Sequence, residues 1–283
     1  MKIINLVENE IGSSGCEASH GLSFYIETEK HKILFDTGPS DILLRNAEKL
    51  NIDLSEIDTV ILSHGHYDHS GGILPFSKIN PNAKIYMQKS AVEEHFAFDG
   101  EEKGFRYIGI DKKILDLPNV IFLNGDTKLD EELSLFVVDK RVFPLPSTNK
   151  RIRVFDGKDY SQDNFLHEQN LLLTSENLTS ERRRILICGC SHSGILNIME
   201  TLKRKFPNED LPELVLGGFH LMKMTEYSMA DSNEICQIAN SLKNYKSHFA
   251  TCHCTGLQVF EQMKEIMGSQ ISYVHSGDAV ILA

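Results

Sequence analysis

The side chains most suited to chemistry lie in segment 63–69, which reads Ser-His-Gly-His-Tyr-Asp-His. On an extended segment, residues two apart point to the same side, so His64 and His66 can converge on one cation. The chain then turns and aims the carboxylate of Asp68 and the imidazole of His69 at a neighbouring position. Imidazole and carboxylate are ligands for zinc, manganese or iron, and two adjacent positions indicate a dinuclear centre. The alternative is a solvated turn that happens to be rich in histidine.

A second motif, Asp36-Thr37-Gly38, follows the apolar run 32–35. With His64-x-His66-x-Asp68-His69 downstream, its order and spacing resemble the metallo-β-lactamase superfamily. At the end of a buried strand, Asp36 is expected to accept a hydrogen bond from the histidine-rich turn and so to orient the ligands. The alternative is an aspartate that only initiates a turn.

Composition limits the classes of protein to be considered. At 283 residues with 41% apolar residues, the chain has ample material for a core, and we interpret it as one domain, 1–283. A net charge of −11 argues against a general nucleic-acid-binding surface. The first ten residues are typical of a strand rather than a signal peptide, and no apolar stretch is long enough to span a membrane. We therefore expect a cytoplasmic protein with a small-molecule substrate.

Short β-branched runs alternate with helix-like stretches in both halves, with no linker between them. Two mixed sheets packed face to face, with helices on both outer faces, account for this pattern. This is the α+β, four-layer αβ/βα sandwich that the resemblance also implies. The predicted strands are 2–7, 21–27, 32–36, 59–62, 84–87, 120–123, 134–138, 169–173, 184–188, 214–217, 248–252 and 279–282; the predicted helices are 40–50, 89–96, 193–205, 231–243 and 256–267.

Segments 95–118 and 140–165 fit these layers poorly, because aromatic residues alternate there with charged residues and glycine. Long loops of this kind often form lids or substrate walls. The alternative is a surface excursion whose aromatic residues pack into the core. If the second loop is functional, its lysines and arginines could face an anionic group of the substrate.

The remaining metal ligands are expected at strand ends in the second half. The run 184–188 leads to His192, and the run 248–252 leads to His253. Sites in layered α/β folds are built at the carboxyl ends of strands. We predict that His192 completes the centre with His64 and His66, and that His253 lies beside Asp68 and His69. The alternative for each is an ordinary hydrogen-bonded histidine.

The sequence departs from the superfamily pattern at one position. Many relatives have a Gly-Asp pair whose aspartate bridges the metals, whereas Gly189-Cys190 stands here. The resemblance leaves open whether Cys190 ligates as a thiolate, whether His192 takes over, or whether Cys190 only packs. It also makes His167 a possible ligand, because His167 lies about where many relatives place their third histidine.

A narrower resemblance covers residues 1 to about 257. It is to the branch that includes the archaeal dihydropteroate synthase of methanopterin biosynthesis and many bacterial members. Within these motifs we place His220 at the pocket as a donor to a phosphate or developing oxyanion, and His20 as a substrate-binding residue. A structural role is the alternative for each. The motifs are Ser19-His20-Gly21-Leu22-Ser23, Gly189-Cys190-Ser191-His192-Ser193-Gly194-Ile195, Gly217-Gly218-Phe219-His220-Leu221 and His253-Cys254-Thr255-Gly256.

These observations favour a metal-dependent hydrolase with two divalent cations, zinc first, with manganese or iron as alternatives. Asp68 would ligate one cation and also orient the attacking water and shuttle its proton. The resemblance and the basic stretch 140–153 favour a phosphorylated or diphosphorylated small molecule as substrate. The alternatives are a pterin-diphosphate-dependent transferase, a ligand sensor that retains the metal pocket without catalysis, and a diiron redox protein.

Overall fold

The computed structural model describes residues 1–176, 182–222 and 231–280. The strands are β1 Lys2–Val7, β2 Ser23–Glu27, β3 Lys32–Phe35, β4 Thr59–Ile61, β5 Lys84–Gln88, β6 Glu94–Phe98, β7 Phe105–Tyr107, β8 Val120–Leu123, β9 Thr127–Lys128, β10 Leu133–Phe136, β11 Ile152–Phe155, β12 Tyr160–Gln162, β13 Asn170–Glu176, β14 Arg182–Ile187, β15 Leu214–Gly217, β16 His248–Thr251 and β17 Ile271–Tyr273. The helices are α1 Ile42–Lys49, α2 Tyr67–Ser70, α3 Ile73–Ile79, α4 Ile195–Lys205, α5 Ser232–Leu242 and α6 Leu257–Met267.

Two mixed sheets form the centre of the molecule. The strand order is β1-β2-β3-β4-β5-β8 in the first sheet and β17-β16-β15-β14-β13-β10-β9 in the second. In the first sheet β3, β4, β5 and β8 run parallel, and in the second β14 to β17 run parallel. The carboxyl ends of the parallel strands therefore lie together at one edge of each sheet.

Alternation of buried side chains sorts the strands into layers. Ile33 and Phe35 of β3 pack with Ile185 and Ile187 of β14 in the core between the sheets. Leu34 instead packs toward α1 and α3 in a second core. The outer face of the second sheet contributes residues such as Leu186 to a third core, which also contains residues of α4, α5 and α6. The predicted four-layer αβ/βα sandwich is confirmed.

A third sheet lies outside these layers, with order β12-β11-β6-β7. It is built from the two segments, 95–118 and 140–165, that we predicted to be long loops. The predicted helix 89–96 is wrong, because a short 3-10 turn at Lys89–Val92 leads directly into β6. His95 and Ala97 are buried while their neighbours are not, which is the period of a strand rather than of a helix.

Several element boundaries also differ from prediction. The short helices α2, which contains Asp68 and His69 at the end of the histidine-rich segment, and α3, which follows it, were not predicted. Asp231 caps α5 by accepting from the backbone N–H of Glu234. Strand 279–282 is represented by a single bridge between Ala279 and Ile4, and its last two residues lie outside the described part of the chain. Among the described residues, no helix is both long enough and apolar enough to cross a membrane.

Candidate metal centre

Asp36 holds the histidine-rich turn against the first sheet through hydrogen bonds. Its carboxylate accepts hydrogen bonds from the backbone N–H of Ser63 (2.7 Å), the hydroxyl of Ser63 (2.7 Å) and Nδ1 of His69 (2.6 Å). The hydroxyl of Ser63 in turn contacts Nδ1 of His64 at 2.8 Å. Both rings are therefore oriented through Nδ1. Nε2 of His64 has no hydrogen-bond partner among the described residues, and Nε2 of His69 lies 3.2 Å from the sulfur of Cys190.

Buried glutamates hold the two ligand-bearing turns of the second half. Glu168 accepts from the backbone N–H groups of His192 (2.5 Å) and Ser193 (2.8 Å), directly after β14. Glu8 accepts from the backbone N–H of His253 at 2.9 Å, after β16. The rings are fixed as well, because Nδ1 of His192 contacts Asn149 Oδ1 and Nδ1 of His253 contacts Asn9 Oδ1, each at 2.9 Å.

These turns need unusual backbone conformations. Asp36, Ser191, His220 and His253 adopt φ values between +50° and +60°, in the left-handed region that most side chains avoid. Each lies one to four residues beyond the carboxyl end of a parallel strand, where the chain must turn back over the sheet edge. Strain of this kind persists only where surrounding contacts fix it, and it often marks functional sites.

His64, His66 and His192 form the first candidate metal position. One ligand atom from each lies within 4.8 Å of the others, and all three residues are buried. The Nε2 atoms of these rings have no hydrogen-bond partner among the described residues. Buried polar atoms are normally paired, so three converging lone pairs without donors fit a cation.

Asp68, His69 and His253 are the residues predicted for the second position. Ligand atoms of Asp68 and His253 lie within 4.8 Å of each other and of His20, whereas His69 groups with His64 and Cys190. Oδ2 of Asp68 lies 3.9 Å from Nε2 of His69 and 3.6 Å from Nε2 of His253. Within the described residues, Nε2 of His253 is another buried nitrogen without a hydrogen-bond partner. His20 supports this position from the side, because its Nε2 is 3.2 Å from the same Asp68 oxygen.

Cys190 lies between the two positions. Its sulfur is 3.2 Å from Nε2 of His69, and ligand atoms of Cys190, His64 and His69 lie within 4.8 Å of one another. The side chain is nearly fully buried. This location matches the bridging role that the resemblance assigns to an aspartate, and a thiolate here would supply the missing negative charge.

His167, the alternative third histidine, has both nitrogens occupied. Its Nδ1 accepts from the backbone N–H of Gly65 at 2.9 Å, and its Nε2 lies 3.2 Å from Oδ2 of Asp163. The same Asp163 oxygen is 2.8 Å from Nδ1 of His95. Ligand atoms of these residues and His66 also cluster within 4.8 Å, but hydrogen bonds already use those of His167 and Asp163. His192 therefore offers the free nitrogen that His167 does not.

Burial sets the charge of the ligands. It lowers the pKa values of His64, His66, His192 and His253 well below the usual range, so these rings are neutral and their lone pairs are available. Burial opposes ionisation of Asp68, yet its histidine neighbours hold the pKa of this carboxyl well below the usual range. Burial raises the pKa of the Cys190 thiol well above its usual range, and the neighbouring Cys254 raises it further.

The two positions open into one pocket, which His20 and His220 also line. The ring of His220 lies against that of His192, with centroids 4.0 Å apart and the planes tilted by 51°, and its Nδ1 has no partner in the described chain. Burial lowers the pKa of His220 to about 3, so the ring is neutral and acts through one N–H or one lone pair. The opposite wall comes from the third sheet, including Ala97, Arg106 and Ile152.

Sequence reasoning missed the residues that support the ligands. Glu8, Asn9, Asn149 and Glu168 hold His253 and His192, but none belongs to a motif that points to metal chemistry. Only Glu168 lies near a residue we considered, His167. An acidic residue that is buried next to a strand-end histidine would have indicated this role. Burial is known only from the structure, so the sequence could not identify these residues.

Comparison with known proteins agrees with this architecture. Residues 17–146 match the family model of the metallo-beta-lactamase superfamily. Over 99% of this chain and 96% of the relative, the sequence is 30% identical to 7,8-dihydropterin-6-methyl-4-(beta-D-ribofuranosyl)-aminobenzene-5'-phosphate synthase of Methanocaldococcus jannaschii. An uncharacterized protein of the same organism is 28% identical over 93% of each chain.

Solved structures show the same fold. Tm1679, described as a metal-dependent hydrolase of the beta-lactamase superfamily, is 30% identical and superposes with a TM-score of 0.81, covering 100% of this chain and 99% of its own. YhfI of Bacillus subtilis, a metallo-beta-lactamase fold protein, is only 13% identical and superposes with a TM-score of 0.53 over 99% of both chains.

Proposed function

The chain belongs to the metallo-β-lactamase superfamily, and on that premise we propose that it is a metal-dependent hydrolase with two divalent cations. His64, His66 and His192 would hold the first cation, and Asp68, His69 and His253 the second, with Cys190 between them. Zinc suits this imidazole-rich set best, and manganese or iron are alternatives. The proposed substrate is a phosphorylated or diphosphorylated small molecule.

One observation carries the proposal. Four buried Nε2 atoms, those of His64, His66, His192 and His253, have no hydrogen-bond partner among the described residues and line one strand-end edge. Leaving a buried polar atom unpaired costs about 1–3 kcal/mol. A protein that left four such atoms unpaired beside each other without a ligand would lose much of its stability.

The residues around the centre have separate roles in hydrolysis. Bound divalent cations supply Lewis acidity, which polarises a phosphoryl or carbonyl oxygen and makes water more acidic. Asp68 orients the attacking water and accepts its proton. His220, whose ring lies next to that of His192, donates its N–H to a developing oxyanion. Asp36, Glu8 and Glu168 keep the ligand-bearing turns in place.

Metal quantification coupled to a substrate panel tests this function. We expect close to two equivalents of metal per chain, and release of phosphate from phosphomonoesters or diphosphates in water alone. Dialysis against a chelator should abolish release, and zinc or manganese should restore it. A protein that retains metal but releases nothing from any phosphorylated compound would contradict the hydrolase proposal, and a ligand sensor would behave in this way.

A second candidate is a pterin-diphosphate-dependent transferase, which the 30% identical archaeal synthase favours. In this reaction the same cations would stabilise a departing diphosphate, and an arylamine would replace water as the nucleophile. The two candidates differ in their requirement for a second substrate. Product that forms only when pterin diphosphate and arylamine are both present would establish the transferase and overturn the hydrolase.

A further inference from the structure

Two arginines of the third sheet region converge on one carboxylate beside the candidate metal centre. Nε of Arg106 donates to Oδ2 of Asp99 at 2.8 Å, and Nη2 of Arg151 donates to Oδ1 of the same residue at 2.5 Å. Both arginines line the pocket that contains Asp68 and His220. Of the five cations in the basic segment 140–153, Arg151 is the one that lines this pocket.

The cluster of Arg106, Arg151 and Asp99 carries a net positive charge. Two guanidinium groups face one carboxylate, which leaves one positive charge in a protein whose net charge is −11. The side chain of Arg151 is only 9% exposed, and its buried Nε has no hydrogen-bond partner in the described residues. Burying a charged group is costly unless its donors are paired. Arg106 is 46% exposed, so it lies toward the pocket mouth.

We propose that Arg151 and Arg106 bind an oxyanionic group of the substrate, in the first place a phosphate, within the pocket that they share with the candidate metal ligands. This inference rests on the proposed hydrolase and identifies the part of its substrate that the protein itself recognises. A guanidinium presents a planar fork of donors that matches phosphate oxygens, and buried charge-assisted bonds of this kind are strong. Asp99 holds both guanidinium groups in position and competes with the anion for their donors.

A structural ion-pair cluster is the competing explanation, and the two make opposite predictions for Asp99. If the cluster only stabilises the third sheet, D99N and R151Q both loosen the pocket, and neither improves anion binding. If the arginines form an anion subsite, R151Q removes a donor, whereas D99N removes the competitor and keeps the shape of the side chain. The signs of the two effects then differ.

Calorimetric titration of inorganic phosphate into the metal-loaded protein distinguishes these explanations. We expect R151Q to weaken binding about tenfold and D99N to tighten it about threefold, at equal metal content. R153Q is the matched control, because Arg153 lies two residues away and does not line the pocket; its affinity should equal that of the wild type. Equal metal content keeps the contribution of the cations constant between variants.

Unchanged phosphate affinity in R151Q, or weaker binding in D99N, would overturn the subsite. If R151Q fails to fold or loses metal, the sign of the D99N effect decides by itself. Failure of the subsite differs from failure of the proposed function. If R151Q still releases phosphate with an unaltered KM, the protein is a hydrolase but lacks this subsite. If the variants show the expected affinities for phosphate but the protein releases none from any substrate, the subsite is supported and the hydrolase proposal fails.

Discussion

Two groups of buried histidines lie side by side in this protein, and they differ in how their nitrogens are used. In the group of proposed metal ligands, Asp36 and Ser63 take Nδ1 of His69 and His64. Nε2 of His64 then has no partner among the described residues, and Nε2 of His69 lies beside the sulfur of Cys190. In the adjacent group, Asp163 contacts both His95 and His167, and the backbone N–H of Gly65 takes the other nitrogen of His167.

Distance alone does not separate these groups. The ring of His66 lies 5.3 Å from that of His167 and 5.5 Å from that of His95, nearly as close as the 4.9 Å to His192. The difference is clearest at His167, whose two nitrogens both have partners. His95 is intermediate, because Asp163 takes its Nδ1 while its Nε2 has no hydrogen-bond partner among the described residues. The Asp163 group holds the turn at Gly65, and so indirectly positions His66.

The largest effect is expected from His66→Ala. Removing one of three imidazoles should empty the first position and lower kcat/KM by about 1000-fold or more, equivalent to about 4 kcal/mol of transition-state stabilisation. Metal content per chain and phosphate release measure the two losses. His248→Ala, whose ring contacts Ser272 away from the pocket, is the control. Full metal content in the His66 variant would show that His66 does not belong to the metal-ligand group.

Asp68→Asn should have the next largest effect. The amide keeps the shape of the side chain but loses the charge, so the fold persists and the second position loses its cation. We expect about one metal equivalent per chain and a loss of about 100-fold or more in kcat/KM, since Asp68 also accepts the proton. Two full equivalents bound by this variant would show that Asp68 is not a ligand.

Asp163→Asn tests the structural group. We expect both metals to remain, a fall of at most about tenfold in activity, and a loss of about 1–3 kcal/mol in the free energy of unfolding measured with urea. Asp159→Asn is the matched control, because its side chain is 77% exposed. Loss of a metal equivalent in the Asp163 variant would mean that the two groups share one function.

The smallest effect is expected from a substitution of His31. Its two nitrogens contact Asp58 (2.9 Å) and Asp130 (2.5 Å), and although burial opposes protonation, these carboxylates raise the pKa of His31. A raised pKa in the folded state stabilises the protein fully below the unfolded value of about 6.5, and the effect is lost as the pH rises through the folded value. His31→Gln should therefore cost up to about 1 kcal/mol at pH 5.5 and almost nothing at pH 9, measured by urea unfolding. An equal cost at both pH values would exclude the ion pairs.

Sequence alone predicted the candidate ligands that lie close together along the chain. His64, His66, Asp68 and His69 fall within six residues, so local geometry brings them together. His192 and His253 were predicted because each follows an apolar strand, and the structure brings both to the cluster. Their assignment as ligands stays a prediction that metal analysis must test.

The rest could not be predicted, because it depends on contacts between distant segments. Whether His167 or His192 offers a free nitrogen is decided by Asp163 and Gly65, which no local pattern connects to it. The third sheet escaped notice because its strands are only three to five residues long, and charged residues such as Arg106 and Arg153 stand among their apolar residues. Arg106 and Arg151 meet only through the pairing of β6 with its neighbours on both sides.

The contacts of Glu8 and Asn9 with His253 have a consequence for biosynthesis. These partners are separated by more than 240 residues, so the ring acquires its orientation only after residue 253 has left the ribosome. The first 192 residues, by contrast, already contain His64, His66 and His192. If the proposed cations bind during translation, the position of these three histidines can therefore be filled before the position of Asp68.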